Sequence, residues 1–207
     1  MKPNGKSKQG KGCELPHVNS KQANPVLDPF QIFLTAEAFR TAAVVLENTL
    51  SREKLAVYSW PAVANNAFAV ELYLKTLLTV EHGRCGRGHD LTELFRNLTP
   101  QSRNSLTKKH NALAKTDRVL ALANKHMGFK VDLQSLLVQG RLAFEQYRYA
   151  YEGVPTSAGW GLHVFLFCIR DHILQLRPEW KKKRAFGFLN PKFSTKEENK
   201  PAIAYFG

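Results

Sequence analysis

The chain has 207 residues, of which 43% are hydrophobic and 23% charged; this excludes wholesale disorder and supplies enough apolar side chains for one well-formed core. Its formal net charge of +13 favours polyanionic partners, nucleic acid foremost. Cys13, Cys85 and Cys168 are too few and too far apart for a disulfide framework, and no run approaches the roughly 18 apolar residues of a bilayer span, so the sequence predicts a cytoplasmic protein without membrane contact.

The charge is concentrated at the two ends. Residues 1–27 carry a net +4, residues 28–176 another +4, and residues 177–207 carry +5. Solubility is one use of such segments and phosphate binding the other. Residues 1–27, rich in Lys, Gly and Asn with no apolar stretch, are expected to form a flexible basic arm and show no signal-peptide pattern.

Asp28-Pro29 reads as a helix start, with Asp as N-cap and Pro at the first helical position. Ile32, Ala36, Phe39, Ala43, Leu46 and Leu50 follow as one apolar stripe, with Glu37, Arg40 and Glu47 expected on the exposed side. Pro61 is expected to open a second helix, in which Val63, Ala67, Val70, Leu74 and Leu77 keep the rhythm up to Gly83. The glycine-punctuated loop 83–88 leads through His89-Asp90 into a short helix over 91–98. Pro100 restarts the chain, and Leu106, Leu113 and Leu120 suggest further helix with a weaker pattern.

A strong stripe of Leu133, Leu137, Gly140, Phe144, Tyr147 and Tyr151 marks a helix from about Asp132, broken at Gly153-Val154-Pro155. Leu162, Leu166, Ile169, Ile173 and Leu176 mark the last one, stopped near Pro178. Four long amphipathic helices and a short one can bury their faces only against one another, which predicts an all-α fold: an antiparallel four- to five-helix bundle over 28–178. From 179 to 207 the composition turns basic and aromatic, predicting a flexible tail. Its Lys181, Lys182, Lys183 and Arg184 could hold backbone phosphates while nearby aromatics stack on bases, or could simply be solvated.

The stretch Asn66-Ala67-Phe68-Ala69-Val70-Glu71-Leu72-Tyr73-Leu74-Lys75-Thr76-Leu77-Leu78, followed by Gly88-His89-Asp90-Leu91 and Leu94-Phe95, resembles the HEPN domain family. That family carries an A-x-E-x-x-L-K-x-L-L helix, a loop, and then H-D-L opening the next helix; Glu71, Lys75, His89, Asp90 and Leu91 are the matching positions. Arg148-Tyr149 resembles the family's Arg-Tyr element before its final helix. The resemblance spans about residues 30 to 176. It implies a four- or five-helix bundle that usually forms a homodimer, needs no cofactor, and has RNA or a protein partner such as an antitoxin as its target. Many members are metal-independent endoribonucleases of toxin, phage-defence or RNA-processing systems; others are catalytically silent binding modules.

Active members carry Arg, four to six residues, then His near the final helix. Here no His follows Arg148 until His163, whereas Arg84 and His89, and Arg103 and His110, match the spacing elsewhere. Histidine can exchange a proton with a ribose hydroxyl near neutral pH and Arg can hold phosphorane charge, so Arg148 and His89 are the candidate catalytic pair. Arg148 and Tyr149 are further expected to line an RNA-facing groove at a dimer interface, with an Arg148–Glu152 ion pair as another use of the guanidinium. Glu71 and Lys75 read as a surface i,i+4 ion pair, to which the resemblance adds a structural role in packing or dimer contacts. His82, Cys85 and His89 have metal-like spacing but lack a fourth ligand, and capping of the next helix by His89-Asp90 is the simpler use; no metal site is expected. Cys168 and His172 sit four apart, yet the apolar run around Cys168 favours an inert buried thiol.

Overall fold

The computed structural model of the chain describes residues 28–48, 55–153 and 159–181. The expected N-terminal arm, Leu50, the Val154-Pro155 break and the tail beyond Lys181, including Lys182, Lys183 and Arg184, lie outside the described residues. Among the described residues every regular element is helical: α1 (Pro29–Asn48), α2 (Leu55–His82), α3 (Leu91–Arg96), α4 (Pro100–Ala114), α5 (Arg118–Met127), α6 (Leu133–Gln139), α7 (Ala143–Arg148) and α8 (His163–Leu176). Single 3-10 turns occupy Ala150–Glu152, Gly159–Leu162 and Pro178–Lys181.

The middle of α2 is the axis of the bundle. Ala67, Ala69, Val70, Tyr73, Leu74 and Leu77 are completely buried, so this stretch is enclosed on nearly all sides, as expected for a helix apolar around most of its circumference. It packs against α1, α3, α7, α8 and the 159–162 turn. Phe33 meets Tyr73 and Phe39 meets Phe68, so α1 and α2 run antiparallel. Helix α8 lies against α1 through Arg170–Glu37, while α4 crosses it through Lys109–Asp171 and His110–Phe165. The simple antiparallel expectation needs one correction: Gly159 lies beside Val63 and Arg170 shares Glu37 with Tyr73, so α8 runs alongside α2 in the same sense. The excursion through α3–α6 carries the chain back to the starting end of the bundle.

Several boundaries differ from the periodicity. Pro61 lies inside α2, which begins at Leu55. The weak 106–120 pattern is two helices, parted where Asp117 caps α5 by accepting from Leu120 N. The stripe from Asp132 is also two helices: Gly140 ends α6, the chain turns, and α7 stops at Arg148. Tyr151, which a continuous helix would bury, consequently sits on a 3-10 turn and is 79% exposed. Leu176 on α8 is exposed as well. Trp180 is buried against Phe30 and Phe33, so the bundle extends through Lys181 instead of ending at 178.

Helix α1 is long and apolar enough to meet the measures of a membrane span. Its Phe33, Ala36 and Ala43 are buried in the bundle, and Glu37 faces inward, not outward as the stripe suggested. Glu37 accepts from Tyr73 Oη, from Arg170 Nε at 2.7 Å and from Arg170 Nη2 at 3.1 Å. Burial pushes the Glu37 carboxyl up, and the Arg170 and Tyr73 hydrogen bonds outweigh it and leave it low.

Candidate functional site

Glu71 lies on the buried side of α2 at 1% exposure, so its pair with Lys75 is an interior contact and not the surface ion pair expected. Lys75 Nζ donates to Glu71 Oε1 at 2.8 Å. The loop after α2 turns back through Gly83 and Gly88, both with left-handed φ that glycine adopts without strain. Asp90 then accepts from Thr92 N and Glu93 N as the N-cap of α3. This return places His89 over Glu71, with Nδ1 at 3.0 and 3.1 Å from the two carboxylate oxygens.

An ionised carboxylate can only accept, so His89 Nδ1 carries the hydrogen. The other ring nitrogen, Nε2, makes no hydrogen bond among the described residues, and the side chain is about half exposed. The His89 ring lies 6.5 Å from that of Phe144 on α7. Arg148, one turn further along α7, holds its guanidinium carbon 5.4 Å from the Phe144 centroid and 4.4 Å from the Tyr149 centroid. It donates to Tyr149 Oη; among the described residues no Arg148–Glu152 ion pair forms. Phe144 in turn stacks on Phe68, which meets Phe39 edge-on. His89 and Arg148, far apart in sequence, thus both approach the Phe144 ring, and Tyr149 lies on the guanidinium.

Lys181 belongs elsewhere. It lines an open groove of about 550 Å³ between α1 and α8 together with Phe33, Glu37, Arg170 and Trp180. His110, the alternative partner by Arg-to-His spacing, is fully buried, with Nε2 on Val131 O; burial holds its pKa below the usual value. Cys168 is buried and its thiol is pushed up to about 11 by that burial, which makes it an inert core residue. His82 turns to Asn97 O while His89 turns to Glu71, and among the described residues no three His, Cys, Asp or Glu side chains gather as a metal site would require.

Two things escaped the sequence reading. One is the Glu71–His89 contact, whose signal was present: a carboxylate embedded in Val70-Glu71-Leu72-Tyr73-Leu74 needs an internal partner. The other is a buried polar network. Glu81 accepts from Thr99 N, Thr99 Oγ1 and Ser102 Oγ, and Ser102 Oγ also meets His172 Nε2 at 2.9 Å. Ser102 is 4% exposed, so this network fastens α2, α4 and α8 together and presents no nucleophile to solvent.

Comparison with protein-family models, curated proteins and solved structures finds no match.

Proposed function

We propose that the chain is an RNA-associated, HEPN-like cytoplasmic protein and a metal-independent endoribonuclease of a defence or toxin–antitoxin system, working as a homodimer. The observation that supports this reading is that His89 and Arg148 both approach the ring of Phe144, at 6.5 and 5.4 Å, with Glu71 orienting the imidazole.

In the proposed reaction the ribose 2′-oxygen attacks the adjacent phosphorus and gives up its proton. The O2′–P bond forms and the P–O5′ bond breaks, leaving a 2′,3′-cyclic phosphate and a 5′-hydroxyl as the leaving oxygen takes a proton from solvent water. His89 Nε2 serves as the proton acceptor, and the Glu71 carboxylate stabilises the imidazolium that results. Arg148 donates to the phosphorane oxygens as their charge grows. The test is cleavage of end-labelled RNA in EDTA by the full chain, with His89→Ala and Arg148→Ala beside it. Cyclic-phosphate ends that vanish in either folded variant support the reading, whereas intact RNA across substrates removes it.

A second reading is a catalytically silent module that binds nucleic acid or a protein partner. It is favoured by the guanidinium of Arg148, already held between two rings and by Tyr149 Oη, and by the absence of the family's usual Arg-to-His spacing at this element.

A further inference from the structure

We infer that Tyr149 and Tyr151 form a stacking platform for an unpaired nucleobase beside Arg148, which makes the ligand of this site single-stranded RNA. The inference rests on the reading of this surface as an RNA site and deepens it by naming the strandedness and the part of the nucleotide that is recognised.

The geometry is a ladder. Phe144, the Arg148 guanidinium, Tyr149 and Tyr151 follow one another at 5.4, 4.4 and 6.1 Å, and the two tyrosine rings meet edge to face at 70°. The first rung is anchored in the bundle, because Phe144 stacks on Phe68 with ring centroids 4.2 Å apart. The last is open to water: Tyr149 is 39% and Tyr151 is 79% exposed. The chain arrives at this arrangement by ending α7 at Arg148 and passing into a 3-10 turn, so that a ring in register with the core stripe is turned outward. An exposed aromatic ring held against an ordered neighbour offers a flat face to any base without prior loss of conformational freedom.

Charge argues for ring faces over a backbone track. Glu145 and Glu152 flank Arg148 on the same short stretch, so the segment has no excess of positive charge with which to follow several phosphates. Arg148 supplies one cation, enough for the phosphate next to the stacked base. Bases inside a duplex present no free face, so a platform of this kind selects unpaired nucleotides.

The experiment measures fluorescence anisotropy of a labelled RNA decamer bound by the full-length chain carrying His89→Ala, which prevents cleavage during the titration. The same decamer as a duplex, and one with abasic sites, are run beside it. The expected result is preference for the single strand and an affinity loss of about fivefold to a hundredfold on adding Tyr151→Ala, the range for one base–aromatic contact. Tyr151→Phe should retain binding, and the abasic decamer should bind equally well with and without the Tyr151→Ala substitution. Equal affinity for single strand and duplex, an unchanged affinity in Tyr151→Ala, or no RNA binding at all overturns the platform. Because the readout is binding, the two ideas separate: a platform without cyclic-phosphate products removes the nuclease, and cleavage indifferent to Tyr151→Ala removes the platform alone.

Discussion

Replacing Glu71 tests whether the buried carboxylate organises this part of the bundle. Its side chain is 1% exposed and accepts from Lys75 Nζ, itself only 15% exposed, and from His89 Nδ1. Glu71→Ala leaves the Lys75 ammonium enclosed without a counter-charge, a loss of about 3–5 kcal/mol. Glu71→Gln preserves shape and one acceptor but turns an amide N–H₂ toward one of two donors; an unpaired buried donor costs about 1–3 kcal/mol. For a domain of this size each kcal/mol shifts Tm by about 2–4 °C, so the alanine variant should melt about 10 °C lower and the glutamine variant about 5 °C lower. The assay is thermal melting followed by circular dichroism, with Lys75→Met and the double variant completing a cycle in which the losses are less than additive. A Glu71→Ala chain that melts within about 1–2 °C of the parent would show that Glu71 does not neutralise an enclosed ammonium, since only an exposed i,i+4 pair, worth about 0.3–0.5 kcal/mol, behaves that way.

Two further outcomes follow from the packing and from the histidines. Gly159→Ala would put a methyl 2.8 Å from Ala143 Cβ and 2.9 Å from both Tyr147 Cε2 and Val63 Cγ1, so it should destabilise by about 1–3 kcal/mol in urea unfolding, while Gly153→Ala, with open space around it, should not. His110 and His172 are both held below the ordinary histidine pKa by burial. Unfolded, each takes up a proton as pH falls through about 6.5, which the folded chain resists, so stability is full above that value and declines below it. Melting curves from about pH 8 to 5 should show this decline, and His110→Gln should make it shallower; a pH-independent Tm above about pH 5 would count against the burial argument.

The helical class was legible because most core positions repeat at helical spacing. Val70, Leu74 and Leu77, or Leu162, Leu166, Ile169 and Ile173, are residues that the structure buries. Helix ends were legible where a side chain caps them, as at Asp28 and Asp90. Breaks inside a periodic stretch were not: the stripe from Leu133 to Tyr151 continues across Gly140, and periodicity alone does not register that the chain turns there. Pro61 misled in the opposite direction, because a proline tolerated within a long helix looks the same in sequence as one that begins it. Of the candidate site, His89, Arg148 and Tyr149 could be named one by one from the motif they resemble. The approach of His89 and Arg148 to Phe144 depends on how α7 packs on α2, which no local pattern encodes.

Three enclosed or partly enclosed carboxylates hold the bundle together, and comparing them explains why only one points to chemistry. Glu37 is used up by Tyr73, Arg40 and Arg170, whose own donors are turned into the interface between α1 and α8. Glu81 is held by Thr99 and Ser102 with His82 Nε2 3.7 Å away, and the histidine reached through Ser102 is partly buried and held toward its neutral form by that burial. Both arrangements tie helices together, so they fix how helices sit against each other where Ala and Leu contacts alone would allow sliding. Glu71 differs in degree: the imidazole it orients is 49% exposed, against 34% for His82 beside Glu81 and 30% for Arg170 beside Glu37, its far nitrogen is unengaged among the described residues, and a guanidinium approaches the neighbouring ring. That asymmetry, more than the match to any motif, is the physical reason to look for function at His89.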